Sequence, residues 1–474
     1  MCGILLGGLH HDKDKVFFRR RGPDRQGQHE VDGITLEASV LCMRDVLVAQ
    51  PCAIGDEAWL AWNGEVYTAA HEDVSGRQHA DTLLVANRMR LALEQSSLAA
   101  VQWEDAEFAW VILTRQHVYF SRDMFGRRSL LMNLHRGQLQ LASVATSSDG
   151  WEEVPPGRVY CFDRRLRTLS YETIPKSADV ISLPPFDSME SASLHLEQVL
   201  REAVRKRIAG ATSVGLLFSG GIDSVVLAAL VLQLLQPFQE LTLVNVSFID
   251  GATASSPSAS DTLAAEASWD NLRELFPDAN VRFMPEQVTW DEMIRVEDHI
   301  RRLIYPKTST MDLNIGMALW FAARAAPGRV LLTGLGADEQ LGGYGRHKKA
   351  WDKSAYAGLR KELDLDLARL WDRNLGRDDR VLSDSSKEAR FPFLDHSVVQ
   401  FLRAIPLDQI VDYRVPLGDK RILRLLAARM GLSSASTAVK RAIQFGSRIA
   451  HVSDKRRFGS RRKANGTSQS PSTS

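Results

Sequence analysis

The 474-residue sequence predicts two domains of different class, a β-rich domain followed by an α/β domain built on a parallel sheet. Three observations lead there. The chain is longer than one hydrophobic core normally serves. Its first third carries short strand-like runs separated by Gly, Pro and Asp turns. The remainder carries continuous apolar runs at 214–218, 241–248 and 330–333, alternating with helical stretches, as expected of strands buried on both faces.

Taken in order, Val111-Ile112-Leu113, Val118-Tyr119-Phe120 and Leu139-Gln140-Leu141 have strand length and composition. Pro155-Pro156-Gly157 turns the chain into 159–162, read as the last strand of the first domain. Pro and Ser across 174–188 mark a linker. Residues 189–208 have helical periodicity, and 225–235 is a buried apolar helix too short to span a bilayer. Residues 251–260 form a polar loop. From 454 onward the chain is basic, then Ser-rich, without apolar anchors, and is expected to be disordered. The expected boundaries are 2–172 for the first domain, 173–190 for the linker, 191–450 for the second domain and 451–474 for the tail.

Hydrophobic residues make up 44% and charged residues 25%, ordinary for a globular enzyme. A net charge of +1 gives no electrostatic argument for nucleic acid or an acidic membrane. Cys2, Cys42, Cys52 and Cys161 form no zinc spacing and no disulfide framework. With no signal-peptide pattern, the expectation is a soluble, cytoplasmic protein acting on small molecules.

Cys2 follows the initiator Met1. Removal of Met1 leaves a cysteine with both a thiol and an α-amine, and that amine can accept its own thiol's proton at neutral pH. Arg21-Gly22-Pro23-Asp24 and Asn63-Gly64-Glu65-Val66-Tyr67 accompany it. Taken alone, Asn63-Gly64 reads as a hairpin turn. Beside a second-position cysteine, Asn63 and Gly64 can supply a side-chain amide and a backbone N–H to an oxyanion. Glu65 and Asp81 can bind a substrate ammonium. These elements, with Arg122-Asp123-Met124-Phe125-Gly126, resemble the class II glutamine amidotransferases. The resemblance implies an α+β N-terminal-nucleophile glutaminase domain of layered antiparallel sheets. It places catalysis on Cys2, the oxyanion hole on Asn63 and Gly64, and glutamine recognition on Glu65 and Asp81. The family grips the glutamine carboxylate with an arginine on the second strand. Arg44 is the arginine nearby, although spacing puts Val40 in that register.

In the second domain, Ser219-Gly220-Gly221-Ile222-Asp223-Ser224 follows a buried strand and opens a helix. Two glycines admit phosphate oxygens to the backbone, and the helix N-terminus favours the anion. Asp223 is acidic where magnesium bridges phosphates. The loop resembles those of enzymes that split ATP into AMP and pyrophosphate. Thr333-Gly334-Leu335-Gly336-Ala337-Asp338-Glu339 follows another strand, with Asp338 placed to share the magnesium. Lys440 is read as the cation that neutralises departing pyrophosphate.

Order and spacing resemble the asparagine synthetase superfamily up to about residue 449, most closely its asparagine synthetase domain-containing subgroup. The motifs that carry this are Gly336-Ala337-Asp338-Glu339-Gln340-Leu341, Gly343-Tyr344-Gly345-Arg346-His347 and Gln444-Phe445-Gly446-Ser447-Arg448. The resemblance implies an α/β parallel-sheet ATP-pyrophosphatase-type synthetase domain. It implies ATP and magnesium, with nucleotide or pyrophosphate contacts at Phe218, Ser219, Gly220, Gly221, Asp223, Ser224, Val246, Thr333, Gly334 and Lys440. Asparagine synthetases proper carry a glutamate where this chain has Leu335. The leading expectation is glutamine- and ATP-dependent amide synthesis of the asparagine synthetase type. Leu335 keeps open the same chemistry on another carboxylate. The short segments 9–19 and 68–79 keep open a regulatory or binding protein descended from such an enzyme.

Overall fold

The computed structural model describes residues 1–7, 15–43, 46–67, 81–101, 105–145, 150–175, 186, 188–250, 259–438 and 442–458, the last five by backbone alone. The chain divides into two compact units. Unit 1 comprises Met1–Ala178, His299–Thr308 and Leu370–Glu388; unit 2 comprises Asp179–Asp298, Ser309–Arg369 and Ala389–Ser474. Two segments of the later half of the chain, far beyond the expected cut near residue 172, thus pack with unit 1.

Unit 1 is built on two six-stranded sheets whose established pairings are all antiparallel. Its strands are β1 (Gly3–Leu6), β2 (Arg25–Val31), β3 (Ile34–Val40), β4 (Cys52–Ala53), β5 (Ala58–Val66), β6 (Ala106–Thr114), β7 (His117–Arg122), β8 (Leu131–His135), β9 (Gln138–Ala142), β10 (Glu152–Glu153), β11 (Arg158–Asp163) and β12 (Thr168–Thr173). The sheet orders are β10-β8-β9-β1-β3-β2 and β12-β11-β7-β6-β5-β4. Period-two alternation assigns each face. Ile4, Leu36, Ala61, Val111 and Phe120 meet in one core that draws on both sheets. On the other face of β5 and β6, Leu60, Trp62, Trp110 and Ile112 pack with Val85 and Met89 of the helix Asp81–Glu94.

One sequence expectation needs correction in unit 1. Residues 159–162 are not the last strand: β12 pairs antiparallel with β11 along its length. It escaped notice because it is an exposed edge strand with no buried face. Asn63 and Gly64 both lie within β5, opposite Ala109 and Phe108 of β6, and do not form the hairpin turn that the pair alone would suit. Strands β1 to β5 were likewise unmarked in the sequence reading.

Unit 2 carries a five-stranded sheet, β13 (Ser213–Leu217), β14 (Glu240–Ile249), β15 (Val281–Thr289), β16 (Val330–Leu332) and β17 (Glu388–Arg390), in the order β15-β14-β13-β16-β17. The β13–β14, β13–β16 and β14–β15 pairs are parallel. The strand order reverses at β13, so the loops after β13 and β16 lie at a topological switch point, where open α/β sheets bind ligands. The expected helix is Met189–Ile208, and a Ser188 capping box closes its N-terminus. Helix Ile222–Leu234 is apolar all round and buried accordingly. Pro285 concealed β15 from the sequence reading, since proline in a strand is tolerated at an edge.

The expected tail also needs correction at its start. Helix Ile449–Phe458 carries residues 451–458, because Ile449, Ala450 and Val452 are buried. Residues 459–474 lie outside the described set. Among the described residues no helix is long and apolar enough to cross a membrane.

Asp395 anchors helix Met189–Ile208 through Arg207 (2.7 Å) and Lys206 (3.1 Å). Burial opposes its ionisation, but Arg207 and then Lys206 outweigh burial and hold its carboxyl below the usual carboxylate range. A folded-state pKa lowered in this way contributes stability that is complete above the unfolded value of about 3.9 and is lost as pH falls below it. Urea unfolding of unit 2 should therefore weaken steeply below about pH 4. Asp395→Asn should flatten that acid limb, with a neutral-pH loss of about 3–5 kcal/mol for leaving Arg207 without its buried partner.

Candidate active sites

In unit 1 the chain enters β1 directly from Cys2, and Gly3 pairs with Ser39 of β3. The Cys2 carbonyl accepts a hydrogen bond from Arg21 Nε at 3.2 Å. Arg21 ends the helix Lys15–Arg21 and is buried. Three residues on, Asp24 fastens the exit of β3: its N–H donates to the Val40 carbonyl and its Oδ2 accepts from the Cys42 N–H. The Arg21–Asp24 motif therefore holds both the Cys2 backbone and the segment facing it. Val40 is the last residue of β3, opposite Arg25. Arg44 lies outside the described residues.

A cavity of about 40 Å³ opens beside Cys2, lined among others by Gly64, Glu65, Asp81, Gln50 and Glu388. Of the six residues proposed for glutamine, it brings together Cys2, Gly64, Glu65 and Asp81. Asn63 is fully buried, and neither its Nδ2 nor its Oδ1 has a hydrogen-bond partner among the described residues. An unpaired buried amide is costly to leave without a ligand, and its neighbour Gly64 reaches the Cys2 cavity.

The Arg122-Asp123-x-x-Gly126 motif braces this strand end from the next one. Arg122 donates to the carbonyls of Arg128, Gly126 and Val154 and pairs with Glu153. Asp123 accepts from the N–H groups of Phe108, Phe125 and Arg127. Phe108 is the partner of Gly64 across β5 and β6, so this loop fixes the frame on which the Asn63-Gly64 pair sits.

Burial pushes the Cys2 thiol up; the neighbouring α-amino group and a hydrogen bond from the Leu41 backbone only partly offset it. Burial also pushes the Met1 amine down to about 5, against the pull of Glu388. Met1 itself is 1% exposed.

In unit 2 the loop after β13 leads into helix Ile222–Leu234, with Gly221 at its N-cap. Gly220 has φ +72°, and a Cβ there would sit 2.2 Å from the Ala265 nitrogen, so only glycine closes this loop. Ser224 Oγ donates to the Gly221 carbonyl. Phe218 and Val246 are buried. Thr333 Oγ1 accepts from the Leu335 N–H at 3.3 Å. A cavity of about 240 Å³ is lined by Ser219, Gly220, Gly221, Asp223, Asp261, Asp419, Lys420 and Arg424 among others.

The loops after β13 and β16 meet through a residue the sequence reading missed. Lys420 Nζ lies 2.6 Å from Asp223 Oδ2 and 2.6 Å from Asp338 Oδ1. Burial disfavours the ammonium, yet Asp223 and then Asp338 outweigh it and hold its pKa above the ordinary lysine value. Gly343 leaves room for the bridge: a Cβ there would fall 1.9 Å from Asp338 Oδ1. Arg424 braces the same corner, paired with Asp419 and donating to the carbonyls of Ser436 and Ala438. Lys440, which follows, lies outside the described residues. No spacing rule in the sequence singles out Lys420, whose two carboxylates lie far from it along the chain.

Among the described residues no three His, Cys, Asp or Glu side chains converge to hold a metal. Two carboxylates do converge, on Lys420. One or two carboxylates with substrate phosphates are the ligand set magnesium commonly takes, so Asp223 and Asp338 fit that ion.

The asparagine synthase family matches this chain at residues 195–359 and 351–451. Asparagine synthetase domain-containing protein 1 of Gallus gallus is 29% identical over 613 aligned residues, covering 95% of each chain. The Homo sapiens protein of that name is 28% identical, again covering 95% of each. An asparagine synthetase domain-containing protein of Saccharomyces cerevisiae is 31% identical over 92% of this chain and 88% of its own. The chain belongs to the asparagine synthase family.

If Met1 is removed, removal must precede folding, since the folded chain buries it. Intact-mass measurement should find a chain starting at Cys2, and methionine aminopeptidase added to folded Met1-bearing protein should not trim it. Between about pH 5 and 8 the unfolded Met1 amine holds a proton that the folded one releases. The Met1-bearing form should therefore lose stability as pH falls through that window, and ready trimming of the folded protein would contradict the burial.

Proposed function

Starting from that membership, we propose that the chain makes amides from glutamine nitrogen at the expense of ATP. Unit 1 is the N-terminal-nucleophile glutaminase in this reading. The Cys2 thiol gives its proton to the freed α-amine and attacks the glutamine side-chain carbon. Asn63 and Gly64 donate to the oxygen that becomes negative, a role in which one donor is typically worth about 10²–10³-fold in kcat. The C–N bond breaks, ammonia leaves, and water releases glutamate from the thioester. Glu65 and Asp81 hold the substrate ammonium. The observation that carries this half is the cavity where Cys2, Gly64, Glu65 and Asp81 meet, with an unpaired buried amide on Asn63 next to them.

In unit 2, a carboxylate oxygen attacks the α-phosphorus of ATP and pyrophosphate departs. Ammonia then attacks the acyl carbon and AMP leaves. The helix N-terminus at Gly221 and the hydroxyl of Ser219 face the pyrophosphate. Asp223 and Asp338 would hold magnesium, which supplies charge neutralisation on the phosphates when bound. Lys420 keeps the two carboxylates together and contributes its own positive charge.

Cys2→Ala should abolish glutamine-supported product formation and spare formation fed by ammonium salts. Equal loss with both nitrogen sources would contradict two separate sites.

Leu335 bears on the acceptor. It is an aliphatic side chain between Gly334 and Gly336, where it can neither accept a proton nor orient a charged group. A positioned general base is typically worth about 10²–10⁴-fold. The acceptor is therefore assigned to a carboxylate other than aspartate. Wild-type protein should release pyrophosphate faster with another carboxylate from a panel than with aspartate, and Leu335→Glu should raise the aspartate rate. Robust asparagine synthesis by the wild type would restore aspartate as the acceptor.

A further inference from the structure

The helix Gly376–Ser383 contains Arg377, Asp378, Asp379 and Arg380, a composition that normally marks a solvated surface. All eight of its residues are buried, and the segment that carries it packs within unit 1. Arg377 and Asp378 pair with each other, while Asp379 and Arg380 serve the frame of the Cys2 site. Asp379 Oδ2 accepts from Arg21 Nη2 at 2.7 Å and from the Ser129 N–H at 3.1 Å. Ser383 Oγ accepts from Arg21 Nη1 at 2.6 Å. Arg380 Nη1 reaches Glu153 at 2.6 Å and Ser129 Oγ at 2.8 Å, and Glu153 also pairs with Arg122 of the Arg-Asp-x-x-Gly motif.

Arg21 is thus held on two of its nitrogens by this helix while the third, Nε, donates to the Cys2 carbonyl. The guanidinium is planar and rigid, so fixing Nη1 and Nη2 fixes the direction of Nε. We propose that Asp379 is a positioning residue for Cys2: acting through Arg21, it sets the orientation of the Cys2 backbone and with it the thiol and the α-amine. A segment 358 residues downstream in the chain therefore completes the site that the N-terminal motifs begin. This rests on the reading of Cys2 as the glutaminase nucleophile.

The test uses the full-length protein with Asp379→Asn, Arg21→Lys and the double variant Arg21→Met/Asp379→Leu. A lysine can answer Asp379 with its single nitrogen but cannot also grip the Cys2 carbonyl in the same geometry. The double variant removes both buried charges together and so guards against misfolding from an unpaired one. Glutaminase kcat is measured per alkylatable Cys2, which discounts any unfolded fraction. All three variants should lose about 10²-fold in kcat, the scale of a misplacement near 1 Å. The glutamine KM should change little, and ammonium-fed synthesis should persist.

Hydrogen exchange of residues 1–6 supplies a readout independent of activity, and in Asp379→Asn it should speed up. If the wild type has no glutaminase activity but this exchange still quickens, the functional reading fails and the positioning role stands. Full glutaminase activity per titrated site in the double variant, or unchanged exchange at residues 1–6 in Asp379→Asn, would overturn the proposal.

Discussion

Asp223 and Asp338 stand in the first turns of the helices that follow different strands of one sheet, and their like charges oppose any approach of those two strand ends. Lys420 reverses that opposition. Its buried ammonium touches both carboxylates and binds the loop after β13 to the loop after β16 at the point where the strand order turns. Removing one partner of such a buried set typically costs about 3–5 kcal/mol, whereas an exposed pair contributes little. The cavity beside them, the glycine loop and the helix N-terminus at Gly221 all depend on those two loops staying together. Lys420 also leaves the carboxylate pair with one net negative charge, which suits a divalent ion that arrives with phosphates rather than one held by protein alone.

Unit 1 solves a similar problem with arginines. Arg21 links the Cys2 carbonyl to Asp379, Arg122 links the loop after β7 to Glu153, and Arg380 joins Glu153 to Ser129. These groups are almost wholly removed from water, so each must find a charged or carbonyl partner. Apolar packing between the two sheets supplies stability. The buried ions determine where the backbone around Cys2, Asn63 and Gly64 comes to rest, because their geometry is directional where apolar contact is not.

Local pattern and long-range pairing explain what the sequence disclosed and what it withheld. Helix Met189–Ile208 and the strands near 214–218 and 241–248 were legible because burial on one or both faces leaves a periodic apolar trace. The Ser219–Ser224 loop was legible because a strand, two glycines and a helix start are adjacent in the chain. Edge strands β12 and β15 lacked that trace, one for want of a buried face and the other because of Pro285. Helix Gly376–Ser383 went unmarked, since the partners that let its charges be buried are distant in the chain: residues 21 and 129 for Asp379, and 153 for Arg380. Lys420 was hidden for the same reason: its carboxylates lie 82 or more positions away in the chain. Asn63-Gly64 shows how little a dipeptide says of local shape: the pair suits a hairpin turn when taken alone, yet it lies within β5, paired with β6.

The proposed function requires that nitrogen freed from glutamine in one reaction be consumed in a second, ATP-dependent one. The most direct measurement supplies glutamine whose side-chain amide carries heavy nitrogen, with ATP, magnesium and a panel of carboxylates, and follows the label by mass spectrometry alongside pyrophosphate. Label should appear in a new amide, with one pyrophosphate and one glutamate formed for each. Label recovered only as free ammonium, with no carboxylate-dependent pyrophosphate at any acceptor, would contradict nitrogen transfer from glutamine to an activated carboxylate.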